Sequence, residues 1–115
     1  MSMESILSAR DRMTLENGMQ LRLLSALETL QARREAKELA TDDRERAVCS
    51  NACLLARALE TGEGQPVFQN GQAVLAGLRM EEIAALARRW SEFNREENPG
   101  LALDSQALED VKKNG

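Results

Sequence analysis

Three pairs of adjacent carboxylates, Asp42-Asp43, Glu81-Glu82 and Glu96-Glu97, and two cysteines, Cys49 and Cys53, are the side chains best equipped for chemistry in this chain. Paired carboxyl groups can share the work of general acid and general base when their environments push their proton affinities apart. Each of these pairs falls at or near a predicted helix end among other charges, where solvated carboxylates are routine, and no dyad is assigned. Asp104-Ser105 sets a hydroxyl beside a carboxylate but has no base partner. Histidine is absent from all 115 residues, which removes the commonest general base, the commonest metal ligand and the usual activator of a nucleophilic Ser or Cys. Cys49 and Cys53 are four apart on a predicted helix with no other Cys or His to complete a metal set. A disulfide between successive helical turns is geometrically awkward, so the reading is two reduced thiols in the core. The glycines of residues 62–75, GEGQPVFQNGQAVL, do not have the spacing of a phosphate-cradling loop. Catalytic, cofactor-binding and metal-ligating residues are therefore all read as none, and the chain as a non-enzyme without cofactors.

Charge narrows the partners. Asp and Glu outnumber Lys and Arg by 19 to 15, for a net charge of −4, and no basic block stands out. Nucleic-acid binding draws on neutralised phosphates, so no nucleic-acid partner is expected. The stretch MSMESILSARDRM carries Glu4, Arg10, Asp11 and Arg12 and has no long apolar core, so no membrane span or signal peptide is expected and the cytoplasm is the expected location.

The elements that would position these residues read as helices. The apolar set is mostly Leu, Ala, Ile, Val and Met, with Phe68, Phe93 and Trp90 as the aromatics and no Tyr, a palette that favours helix over sheet. Residues 1–19 read as a loosely held arm with a short helix over 5–12 and a turn at Asn17-Gly18, and residues 20–115 as the helical domain. Leu23, Leu24, Leu27, Leu30 and Leu39 trace a helix over 20–40, with Arg33, Arg34, Glu35, Lys37 and Glu38 on its wet face. Thr41-Asp42-Asp43 offers a cap for a second helix carrying Val48, Ala52, Leu55 and Leu59 on one face, and Gly62 its stop. Over 80–94, Ile83, Leu86, Ala87, Trp90 and Phe93 lie on one stripe. Asn98-Pro99-Gly100 ends that helix, and Asp104 or Ser105 caps a last one carrying Leu108 and Val111. The sum is a small, single-domain, all-α bundle of about four helices, with room for a minor β-hairpin near residues 66–72. Val67 and Phe68 are expected to fold back onto the flanking helices.

Residues 52–101, ACLLARALETGEGQPVFQNGQAVLAGLRMEEIAALARRWSEFNREENPGL, resemble the tail assembly chaperones of long-tailed, siphophage-type bacteriophages and prophages. The likeness lies in a helix ending in LLARAL, a Gly-containing turn running into GQPVF, a segment closing in VLAGL, and a helix that enters FNREENPGL. Gly64, Pro66, Val67 and Phe68 occupy the turn, with Glu63 as its acidic member. Where that family tends to Asn-Gly-Leu after the later helix, this chain has Asn98-Pro99-Gly100-Leu101.

The resemblance implies a non-enzymatic protein of the bacterial host cytoplasm that binds the tape measure protein, keeps its long helical chain soluble, helps recruit tail tube protein and acts as a homo-oligomer. Val67, Phe68, Ile83, Leu86, Trp90 and Phe93 are the expected partner-binding residues. It also implies a programmed −1 ribosomal frameshift near the end of the reading frame, for which Lys112-Lys113-Asn114 is one peptide reading of the slippery heptamer A AAA AAC. The codons there decide it, since a heptamer that cannot slip removes the idea. The alternative reading is a prophage-encoded helical adaptor or helix-turn-helix-like regulator, for which EEIAALARRW resembles a positioning helix and Arg88-Arg89 a phosphate contact.

Overall fold

The computed structural model describes residues 11–97. Among them four helices hold 63% of the residues and a small three-stranded antiparallel sheet accompanies them, so the domain is mostly helical but not strictly all-α. The expected last helix with Leu108 and Val111, the Asn98-Pro99-Gly100 break and Lys112-Lys113-Asn114 lie outside the described residues.

The first strand of the sheet comes from the segment read as an arm, and the other two from the segment read as the helical domain. Strand β1 (Arg12–Thr14) pairs with β2 (Gln20–Arg22), Met13 opposite Leu21, and β2 pairs on its other side with β3 (Leu59–Glu60), Leu21 opposite Leu59. Asn17-Gly18 does make the expected turn. Gly18 takes φ 86°, a region open to glycine, while Asn17 Oδ1 accepts from the Met19 N–H at 3.1 Å. The strand order is β1-β2-β3. Leu15 and Leu21 are buried in the core, with Met13 and Met19 packed against it.

Helix α1 (Ala26–Leu39) starts six residues later than the leucine stripe suggests, because Gln20–Arg22 are committed to two strand partners. Its start is fixed by a capping box: Ser25 Oγ accepts from the Glu28 N–H at 3.1 Å, and Glu28 Oε1 accepts from the Ser25 N–H at 3.0 Å. Helix α2 (Asp43–Ala58) begins as expected, with Asp42 Oδ1 accepting from the Glu45 N–H at 3.1 Å. Gly62 is not its stop. The helix ends at Ala58 and passes straight into β3, and Gly62 instead allows two turns to approach, since a Cβ there would lie 3.0 Å from the Gly18 carbonyl oxygen.

No hairpin forms over 66–72. Pro66 makes one isolated bridge with Glu60, and having no N–H it cannot extend a ladder. Asn70 then caps a short helix, α3 (Gly71–Gly77), by accepting from the Ala73 N–H at 2.9 Å. Helix α4 (Met80–Glu97) follows, buries Ile83, Ala87, Trp90 and Phe93, and matches the stripe read from the sequence.

α2 is the centre of the domain, with α1, α3 and α4 all packed on it. Two cores result. The larger joins Leu21 of β2, Leu59 of β3, Ala52 and Leu55 of α2, Val74 of α3 and Ile83 and Trp90 of α4. The smaller, between α1 and α2, is made of Ala32, Ala36, Cys49 and Cys53, whose small side chains let the two helices approach closely.

Candidate functional site

Polar ties hold the elements in place around α2. Glu60, a buried carboxylate, accepts from Arg12 Nε at 3.1 Å and from Gln20 Nε2 at 3.0 Å, and Arg22 Nε lies 3.5 Å from its other oxygen. Arg22 also grips Glu28 on α1, with Nη1 donating to Oε1 at 3.1 Å and a second, shorter contact from Nη2 to Oε2. The Arg22 guanidinium, helped by the Ser25 N–H and opposed by burial, holds the Glu28 carboxyl down at about 2. Trp90 of α4 completes the tie by donating its indole N–H to the Arg22 carbonyl at 2.8 Å.

A second tie crosses α1, α2 and α3. Glu35 Oε1 accepts from Arg57 Nη1 at 2.7 Å, and Oε2 accepts from the Gly71 N–H at 2.8 Å. Burial alone would raise the Glu35 carboxyl, but Arg57 and the Gly71 N–H outweigh it and hold it below its ordinary value. Sequence reading set Glu35 on a wet face; it is half-buried, because α3 closes over it.

Among the described residues, several of the side chains first considered for chemistry have structural partners, and Asp104-Ser105 lies outside them. Asp42 caps α2, and Glu82 accepts from the Arg79 N–H at 2.9 Å at the start of α4. Cys49 and Cys53 are buried free thiols, as read from their spacing. Burial, with Glu35 adding to it, pushes the Cys53 thiol up to about 12, and burial, with Glu45, raises Cys49 as well. Thiols held protonated in this way are poor nucleophiles. Among the described residues no three His, Cys, Asp or Glu side chains are grouped to hold a metal ion, and no helix is long and apolar enough to cross a membrane.

What the arrangement does offer is apolar surface. α1, α2 and α4 leave between them an open groove of about 640 Å³. Leu24, Leu30, Ala32, Leu54 and Trp90 supply its apolar lining, and Thr29, Arg33, Ser50, Asn51 and Asn94 its polar edge. Two leucines of α1 stand in solvent, Leu27 59% and Leu30 45% exposed. A smaller cleft of about 310 Å³ lies on another part of the domain, where Met19, Leu59, Val67, Phe68, Leu78 and Leu86 meet. Met80, 68% exposed, begins α4.

The six residues expected to bind a partner are therefore divided. Val67, Phe68 and Leu86 share the smaller cleft, and Trp90 lines the groove. Ile83 and Phe93 are 1% and 2% exposed and fill the core instead. Val67 and Phe68 do fold back, the Phe68 ring lying against Gly77 at the end of α3. The leucines of α1 were missed as surface because a stripe spaced for one helix face gives no measure of how much of that face its neighbours cover. Arg88 is exposed, whereas Arg89 donates to both oxygens of Glu16 at 2.8 and 2.9 Å.

Protein-family models, curated proteins and solved structures were compared with the chain, and none matches.

Proposed function

We propose that this protein is a helix-binding assembly chaperone whose α1–α2–α4 groove holds an amphipathic helix of another protein. The observation that carries the reading is an open apolar groove lined by the exposed Leu30, with the exposed Leu27 three residues before it on the same helix. Contiguous apolar surface of this kind, edged with polar residues, is what a helix laid into a groove requires. The resemblance of residues 52–101 to phage tail assembly chaperones supplies the partner: the tape measure protein, a long helical chain that needs its apolar stripe covered before the tail is built. On this reading the protein works in the host cytoplasm, in several copies along its partner, and helps bring in tail tube protein. A nucleic-acid partner has less support, since α4 carries Glu81, Glu82, Glu92, Glu96 and Glu97 against Arg88, Arg89 and Arg95, and Arg89 is taken up by Glu16.

Co-expression with the tape measure protein of the phage or prophage that encodes the chain tests the proposal. The partner should stay soluble and co-purify with the unchanged chain. The double substitution Leu27→Asp/Leu30→Asp should cut the recovered partner at least about tenfold, because charges at an apolar contact each cost on the order of 1–3 kcal/mol. The variant's own thermal melting should stay put, since surface changes rarely exceed about 0.5 kcal/mol. Undiminished recovery with the double variant would remove the groove from the account. Absence of the tape measure protein from the unchanged chain's complexes would sink the reading altogether.

A further inference from the structure

The apolar groove runs on into basic ground. Arg33 and Ser50 border both the groove and a depression of about 260 Å³ that Lys37 and Arg46 complete. Along α1 the order is Leu30, Arg33, Lys37, and along α2 it is Leu54, Ser50, Arg46, so the numbers rise on one wall as they fall on the other. That is the mark of two antiparallel helices, joined here through Ala40, Thr41 and Asp42. From Leu30 to Lys37, and from Leu54 back to Arg46, each wall passes from apolar to basic over about two turns of helix, or roughly 10–12 Å.

This basic end belongs to a chain of net charge −4. Arg33, Lys37 and Arg46 are exposed, and among the described residues none of the three is in an ion pair, whereas Arg12, Arg22, Arg57 and Arg89 each have a carboxylate. Among the described residues that line the depression there is no carboxylate. The nearby acids are engaged elsewhere, Asp42 with the Glu45 N–H and Glu45 with Thr41. Arg33 and Lys37 are four apart on α1, a like-charge spacing that is mildly unfavourable until an anion lies beside it.

We infer that Arg33, Lys37 and Arg46 select the helix that the groove accepts: an amphipathic helix whose apolar stripe covers Leu30 and Leu54 and whose same face carries Asp or Glu about two turns further on. The inference rests on the helix-binding reading above and narrows it to a partner of stated charge pattern. Apolar contact supplies most of the affinity, and the cations fix the register. A helix slid along by two turns would set its carboxylates on Leu30 and Leu54, where they lose water and gain no partner.

Synthetic stapled helices carrying a dye, titrated with the full chain and followed by fluorescence anisotropy, test this. Their apolar stripe is constant and is followed two turns later by glutamates, glutamines or lysines, each form made in both chain directions. In the direction that binds better, the glutamate form should bind about tenfold more tightly than the glutamine form at low salt, as three exposed ion pairs together provide. The lysine form should bind more weakly than either. In about 1 M salt, where charges are screened beyond about 3 Å, the differences should nearly vanish. Arg33→Gln/Lys37→Gln/Arg46→Gln should remove the glutamate advantage and leave binding of the glutamine form unchanged, while Leu30→Asp should weaken every form. Equal binding of the glutamate and glutamine forms overturns the inference and leaves the helix-binding groove standing, as does an advantage that survives the triple change. Binding of no form, or binding indifferent to Leu30→Asp, removes the groove from helix binding along with the inference. Self-association through Leu30 that shuts the peptides out gives the trough to a second copy and overturns the inference. A single-stranded oligonucleotide held by the three cations and indifferent to Leu30→Asp gives the depression to nucleic acid and overturns it too.

Discussion

Gly71 occupies a position that the surrounding side chains close to anything larger. A Cβ there would collide with Cys53 Sγ and sit 3.1 Å from Leu39 Cδ1 and 3.2 Å from the Cys53 Cα, while the Gly71 N–H is held by Glu35. Gly71→Ala should therefore destabilise the domain by about 1–3 kcal/mol, the usual cost of forcing a methyl group into a filled site. Urea unfolding curves measure it, and an unchanged midpoint would show that α3 simply moves away. Cys53→Ala in the same chain should recover part of the loss, because it removes the sulfur that the new methyl group meets first. One feature of this site was legible and one was not. The four-residue spacing of the cysteines announced buried thiols. That Glu35, flanked by Arg33, Arg34, Lys37 and Glu38, would be drawn under α3 follows from a contact 36 residues away, which local charge patterning does not encode.

Arg22 and Glu28 join the sheet to α1, and the join depends on acidity in a definite direction. The folded carboxyl of Glu28 lies at about 2, below the ordinary glutamate value of 4.5. A carboxyl lowered on folding contributes stability that is present above its unfolded value and is lost as pH falls through its folded value. The contribution should thus be full above about pH 4.5 and drain away toward pH 2. Glu28→Gln keeps a side chain that can still cap Ser25 but does not titrate, so the variant should be less stable than the unchanged protein at neutral pH and nearly equal to it at pH 2. Denaturation midpoints across that range check this, and a constant gap between the two proteins would refute it. The same junction shows why the sheet escaped sequence reading. Met13, Leu15, Met19 and Leu21 alternate on either side of Asn17-Gly18, which is a hairpin signature, and Ser25 with Glu28 is a capping box. The run of leucines from Leu21 to Leu30 overlays both with a helical spacing. Three-residue strands are too short to outweigh it. α2 and α4 were plain because their apolar stripes continue over about three turns and one face of each is filled against the core.

The whole domain hangs on α2, against which every other helix packs, and Cys49 and Cys53 lie on its inner side. Because neither thiol reaches solvent, a thiol reagent should label both only when α1 lifts from α2, and the two rates should rise together with urea. Rapid labelling of one thiol in the native protein would show instead that the α1–α2 seam opens by itself. The groove is a product of the same arrangement: helices packed on one central helix leave a trough wherever they do not touch each other. Only the contacts between elements decide where that trough falls, so its presence was beyond the reach of periodicity, even though Leu30, Leu54 and Trp90 were each plain as apolar positions. The indole of Trp90 gives that trough an unplanned use. It is the chain's one tryptophan, no tyrosine accompanies it, its N–H is bound to Arg22 of the sheet and its ring forms part of the groove wall. Ultraviolet excitation of the untagged protein therefore yields light from one address alone, the junction of sheet, α4 and groove, and any helix that settles there changes the colour of that light without a dye having been added.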